Sequence, residues 1–230
     1  MYGILKSTTN TGLDSELLAT FSTPLTIHSN VTGYASDTVG LHRRANRTQV
    51  QRWELTTTIA PSDNATEFFV NNVTAAFDTP VPIRFPQMVI PGHGKASNGI
   101  RLSKKTPVGM DMDTYPDAPL LTVSGTFNPG ASVIAAQDPG GLGRTHFMIG
   151  EFIQFTNHKK IYVVKACNAD GTGLVLFPAL RKQIVNGEPI IYGDRVTMMG
   201  YYDLDTAFGI TYQDGILTDT GSVKFVESLT

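Results

Sequence analysis

The chain has little cysteine, little tryptophan, little charge and no long apolar run, and each shortage removes a class of protein. A single cysteine, Cys167, in 230 residues cannot close an intrachain disulfide, which excludes a disulfide scaffold. It sits in a strand-like stretch and reads as a small core residue rather than a reactive thiol. No apolar run approaches the ~20 residues that span a bilayer, so no membrane insertion is expected. The first twelve residues lack a basic region followed by an apolar stretch. No secretory signal is therefore expected, and synthesis is expected in a cytoplasm. Charged residues make up 17% of the chain, against the usual ~25%. With 18 Lys and Arg against 20 Asp and Glu, the net charge is -2. Phosphate neutralisation needs clustered cations, so nucleic-acid specificity is not expected. There is no heptad and no fixed-period repeat, which excludes a coiled coil and a collagen-like chain.

What is present is threonine, the commonest residue, ahead of 22 glycines, with plentiful asparagine. Four N-x-[ST] sequons, at Asn30, Asn46, Asn64 and Asn72, carry no weight without a secretory signal. The length fits one large domain or two small ones. A weak net charge does little to keep chains apart, so the composition suits a protein that associates.

The pattern is dominated by strands. Residues 1–50 are Thr/Ser-rich, and extended arms or short strands are expected there, with turns at Asn10–Gly12 and Gly33. From Val50 to Ile59, Trp53, Leu55, Thr57 and Ile59 share one face by period two, opposite Arg52, Glu54, Thr56 and Thr58. Pro61 ends this strand. Candidate caps at Ser62–Asn64, Glu67 in the first turn, and Phe69, Val73, Ala76 and Phe77 at helical spacing predict one helix over 64–77. Residues 81–90 read as an edge strand broken by prolines, and 92–119 as a long, weakly patterned loop. Two strands, 120–127 and 130–136, flank an Asn-Pro-Gly turn. Phe152–Phe155 and Ile161–Lys165 then form a hairpin around Asn157-His158-Lys159. Further strands follow at Leu174–Phe177 and, after the Asn186-Gly187 turn, at Pro189–Tyr192. Three more strands are expected after Arg195. Strand spacing of about 8–12 residues predicts a small antiparallel barrel or sandwich. The fold class is mainly β with one short helix. Residues 1–95 with 193–230 are expected to form one β domain, and 96–192 an inserted small antiparallel β-barrel.

No catalytic motif emerges, and no cofactor is expected. His28, His42, His93, His146 and His158 form no metal-binding spacing. Asp111, Asp113 and Asp117 lack the turn glycine and closing glutamate of a calcium loop. The Gly140-Gly141-x-Gly143 stretch lacks the lysine and the helix of a phosphate loop. Two groups of charges stand out instead. His42, Arg43, Arg44 and Arg47, Lys104 with Lys105, and His158, Lys159 and Lys160 are basic; Asp111, Asp113 and the tail aspartates 203, 205, 214 and 219 are acidic. Each cluster reads either as a solvated loop or as an inter-subunit contact. Opposite charge at separate places suits a head-to-tail contact between copies. The expected core comprises Trp53, Phe69, Phe77, Phe152, Phe155 and Tyr162.

Several segments carry a resemblance. Gln51-Arg52-Trp53-Glu54-Leu55-Thr56, followed by Pro61 and an amphipathic helix, resembles a recurring opening in small tail structural proteins of tailed bacteriophages. Gly150–Phe155, Asn157–Val164, Leu176–Arg181 with Gly187, and the closing strands with Phe225-Val-Glu-Ser-Leu resemble the same family. Together these cover most of residues 45–229. The resemblance implies a distal-tail or baseplate ring subunit with a tail-tube-like β fold: a virion structural protein and not an enzyme. It would form a ring, hexameric by the same resemblance, between tail-tube and baseplate proteins. The N-terminal 40 residues and the 92–119 loop match nothing in that family and would be arms reaching neighbouring rings. Two alternatives come from other classes: a carbohydrate- or receptor-binding module using Tyr201, Tyr202 and Tyr212, and an all-β hydrolase.

Overall fold

A computed structural model describes residues 3–5, 17–37, 43–60, 79–85, 121–137, 147, 149–168, 172–192, 196–203, 208–214 and 216–229. The expected helix over 64–77 and the loop over 92–119 lie outside these residues. Among the described residues there is no helix, and the protein is mainly β. In chain order the strands are β1 (Gly3–Leu5), β2 (Leu17–Asp37), β3 (Arg43–Ile59), β4 (Val81–Arg84), β5 (Thr122–Val123), β6 (Val133–Gln137) and β7 (Phe152–Phe155). Then come β8 (His158–Cys167), β9 (Gly173–Phe177), β10 (Ile190–Tyr192), β11 (Thr197–Tyr202), β12 (Phe208–Gln213) and β13 (Ile216–Glu227). The chain divides into two units, one built from residues 18–81 and 200–229, the other from residues 2–17 and 82–199.

In the second unit, six strands run antiparallel in the order β10-β7-β8-β9-β6-β5. The sheet closes on itself. Thr122 bridges Pro189, the Val123 amide donates to Glu188 O at 2.9 Å, and the Ile190 amide donates to Leu121 O at 2.8 Å. Closure into a barrel removes the free edges of an open sheet. Alternation fills the interior. Val123, Ile134, Ala136, Ile153, Phe155, Tyr162, Val164, Leu174, Leu176 and Ile190 all point into one buried cluster. Two turns are set by local chemistry. The Ala131 amide donates to Asn128 O at 3.2 Å across Pro129 and Gly130. The left-handed φ of 90° at Gly130 is one that glycine adopts without steric cost. At 185–188, Gly187 takes a φ of 80° and donates to Val123 O, so this turn also helps to close the barrel. The outer face of β7 is covered too. Phe152 meets Phe85 edge-to-face at 4.7 Å, and Gln154 Nε2 donates to Thr197 O at 2.9 Å, before the start of β11 passes out of this unit.

The described strands of the first unit form two long antiparallel hairpins, which belong to a seven-stranded sheet of order β11-β4-β1-β2-β3-β13-β12 in which β11 also pairs with β13. In one, β2 and β3 pair from Phe21↔Ile59 to Asp37↔Arg43. Thr and Ser on both faces hide this length from a periodicity argument. Gly33 is not a turn, as the sequence suggested, but lies within β2 at a register shift between Val31 and Gly33, a usual role for a glycine inside a strand. In the other hairpin, β13 pairs along one edge with β12 and then with β11, from Gln213↔Ile216 to Gly200↔Glu227. Asp214, with φ 52° and glycine next in sequence, makes the turn. This turn splits the expected strand GITYQDGILTD in two and merges its second half with the last strand.

The barrel core yields a stability prediction. Phe155→Ala empties a fully buried position and is expected to destabilise the barrel by about 3–5 kcal/mol. Val133→Ala, at a position 59% exposed, stays within about 0.5 kcal/mol. Urea unfolding of the two variants beside the wild type reads both, and equal losses would contradict the assignment of faces.

Candidate functional site

The two hairpins of the first unit meet along a single seam. β13 pairs antiparallel with β3 over five residue pairs, from Ser222↔Thr58 to Val226↔Glu54. Trp53, Leu55 and Ile59 bury one face of this seam together with Val223 and Phe225. Phe225 contacts Phe21 at 6.0 Å and Tyr202 edge-to-face at 6.4 Å between ring centroids. This is the face that the alternation from Trp53 to Ile59 predicts. Gln51 shares its phase and is buried as well, with its amide donating to Ser29 Oγ at 3.2 Å.

The opposite face holds charge. Glu54 is only 6% exposed although it lies on the polar side of the strand. Its Oε1 accepts from Asn30 Nδ2 at 2.7 Å and from Arg52 Nε at 3.1 Å. Its Oε2 lies 3.1 Å from Lys224 Nζ, which also meets Asp203 Oδ2 at 3.0 Å. Burial by itself would push the Glu54 carboxyl up. The Asn30 hydrogen bond and the Lys224 and Arg52 cations outweigh burial and hold it below the usual carboxylate range. Hydrogen bonds to Asp203 and Glu54 raise the Lys224 ammonium correspondingly. The network therefore joins residues of β2, β3 and β13 to Asp203, and it fixes the register of the seam by a diagonal ion pair. At the end of the seam Glu227 Oε2 accepts the Trp53 amide at 3.0 Å. A side-chain oxygen there takes the place of the next rung of the ladder.

The seam is much shorter than the strands that make it. Among the described residues, 43–50 of β3 pair with β2 alone and 216–220 of β13 with β12 alone. Because β3 and β13 run antiparallel, these segments protrude from opposite ends. A two-stranded ribbon is marginal in water, and an open strand edge is a template for pairing. Arg43, Arg44 and Arg47 all fall on the β3 segment. The sequence marked these arginines, but the stagger that isolates their segment depends on pairings more than 160 residues apart.

The other expected contact residues divide. His42, Lys104, Lys105, Asp111 and Asp113 lie outside the described residues, as do Phe69 and Phe77. Trp53, Phe152, Phe155 and Tyr162 are buried. Lys159 is exposed. His158 and Lys160 are each 5% exposed, which corrects their placement on a solvated contact tip. The physical reason is register: Phe155 pairs with His158 across a two-residue turn at 156–157, so His158 opens β8 instead of capping the turn. Its ring packs on Phe155 and Tyr162. Tyr162 Oη accepts from the Arg181 amide and lies 3.4 Å from His158 Nδ1. Burial pushes His158 down to about 4; Glu188 opposes this shift and Lys182 adds to it, so the ring is neutral at pH 7. Cys167 donates to Phe147 O at 3.4 Å, and burial followed by Glu151 pushes its thiol up, away from the thiolate a nucleophile needs. The sequence named Asn30 only as a sequon, Glu54 only on the polar face of its strand and Glu227 only in the closing strand; nothing in it marked Lys224 or joined the four.

No protein-family model matches the chain, and no curated protein sequence matches it.

The Glu54 network has a definite pH dependence. Its folded carboxyl lies below the ordinary value of 4.5, so its contribution to stability is complete above that value and is lost as pH falls through the folded one. Lys224→Gln removes one of the cations that hold it down. The Glu54 titration midpoint, followed by carboxyl-carbon NMR, is expected to rise, and acid unfolding to begin at higher pH. An unchanged midpoint would mean that Lys224 does not govern Glu54.

Proposed function

We propose that the chain is a virion structural protein of a bacteriophage tail, forming a ring where the tail tube meets the baseplate. The observation that carries this reading is the staggered pair of long hairpins. Strands that outrun their shared seam at both ends leave segments for other chains to complete. The low charge and the Thr-rich strands agree with a surface given over to neighbours. The segments from Gln51 to Thr56, Gly150 to Phe155 and Phe225 to Leu229, which carry the family resemblance, fall on or beside the seam strands and in the barrel. In this reading each copy contributes strands to a shared collar, and six copies close the ring between the adjoining tube and baseplate proteins. The protein acts by shape, needs no cofactor, and ends in the virion after assembly in the host cytoplasm.

The carbohydrate-binding alternative draws less support. Glycan binding needs exposed aromatic faces, whereas Tyr202 packs against Phe225.

Electron microscopy of the purified protein, and of intact particles with the chain labelled, tests the proposal. Six-fold rings, and label confined to the tail end of the particle, are expected. A protein that stays monomeric at every concentration and is missing from particles would overturn it.

A further inference from the structure

The ring reading leaves open which surfaces join, and the seam answers this. Among the described residues, no strand pairs with the outer edge of β3 over 43–50 or of β13 over 216–220, and both edges lie on the line of the β3–β13 seam, one at each end. They belong to strands that already pair with each other in antiparallel register. Placing a second copy end-on sets its β13 segment against the first copy's β3 segment in that same antiparallel sense. The contact is heterologous, because the two surfaces differ and each copy carries both. Such contacts propagate, and they close into a ring when the rotation per copy allows.

Charge selects the same pairing. Residues 43–50, RRANRTQV, carry three arginines and no acid; residues 216–220, ILTDT, carry Asp219 and no lysine or arginine, with Asp214 at the turn just before them. Asp214 stands exposed at the hairpin turn. Joining like to like would set arginines against arginines or aspartates against aspartates. Joining unlike segments sets arginines against aspartates, and complementary charge of this kind chooses the partner and the register while backbone hydrogen bonds hold the strands. The remaining open segment on each copy is then of the right sign for the next.

We infer that copies of this chain join head to tail by pairing the basic 43–50 segment of β3 in one copy with the acidic 216–220 segment of β13 in the next, each junction continuing the seam. The inference rests on the ring-forming reading and adds to it the surfaces and their polarity.

Charge exchange tests it on the full chain. One variant, R43E/R44E/R47E, has both segments acidic; a second, D214K/D219K, has both basic. Alone, each is expected to lose assembly and to sediment as a monomer while staying folded by circular dichroism. Mixed, they are expected to restore particles of wild-type size containing the two variants in equal amounts, because only unlike neighbours can join. A chain carrying all five changes has its charges exchanged end for end and is expected to assemble by itself, which controls for damage by the substitutions. If either variant assembles alone as well as the wild type, or if the mixture and the five-fold variant both stay monomeric, the pairing is wrong. In the first case the ring reading survives without it. If the wild type itself never assembles, the ring reading fails and takes the inference with it.

Discussion

The architecture of the first unit depends on one buried carboxylate. Glu54 sits where β3 leaves the seam, and its two oxygens draw in Asn30, Arg52 and Lys224. A seam of five residue pairs between two much longer hairpins is otherwise free to slide. A slip of one residue would turn Trp53 and Leu55 outward and would leave an ionised carboxylate buried without its cations. The hydrophobic face and the charged face thus specify the same register by independent means. Glu227, accepting the Trp53 amide, then ends the pairing at a fixed point, so the length of the open segment beyond it is fixed as well.

Both sheets close on themselves, and they differ in how far their strands run past the closed part. The barrel joins its first and last strands through residues 121–123 and 187–190 and keeps its backbone groups to itself. Its interior is ordinary packing: alternating aliphatic side chains around Phe155 and Tyr162, with a neutral histidine under the turn. The sheet that holds the hairpins closes as well, since β11 pairs with β13 and stands next to β4 in the strand order. Among the described residues, 43–50 of β3 and 216–220 of β13 nevertheless run on past the seam.

Local features of this fold were legible in the sequence, and long-range ones were not. The Trp53–Ile59 alternation, the turns at Asn128–Gly130 and Asn186-Gly187, and the Phe152–Phe155 strand each follow from a few adjacent residues. The length of β2 did not show, because Thr and Ser on both faces erase the period-two signal. His158 and Lys160 read as a charged tip, because polar type outweighed a one-residue difference in turn position. Glu54 read as a solvent-facing residue; its partners Asn30 and Lys224 lie where no spacing rule reaches. The acidic and basic clusters were visible as composition, but the antiparallel stagger that gives them opposite ends of one seam exists only in the folded chain.

The central claim is that the 43–50 and 216–220 segments are open in the single chain and covered in the assembly. Amide hydrogen exchange measured from dilute to concentrated protein tests this most directly. Amides of both segments are expected to exchange rapidly at low concentration and to become protected together as the assembly forms, while the barrel amides keep the same protection throughout. Protection of the two segments that does not change with concentration, or that appears in one without the other, would contradict the account.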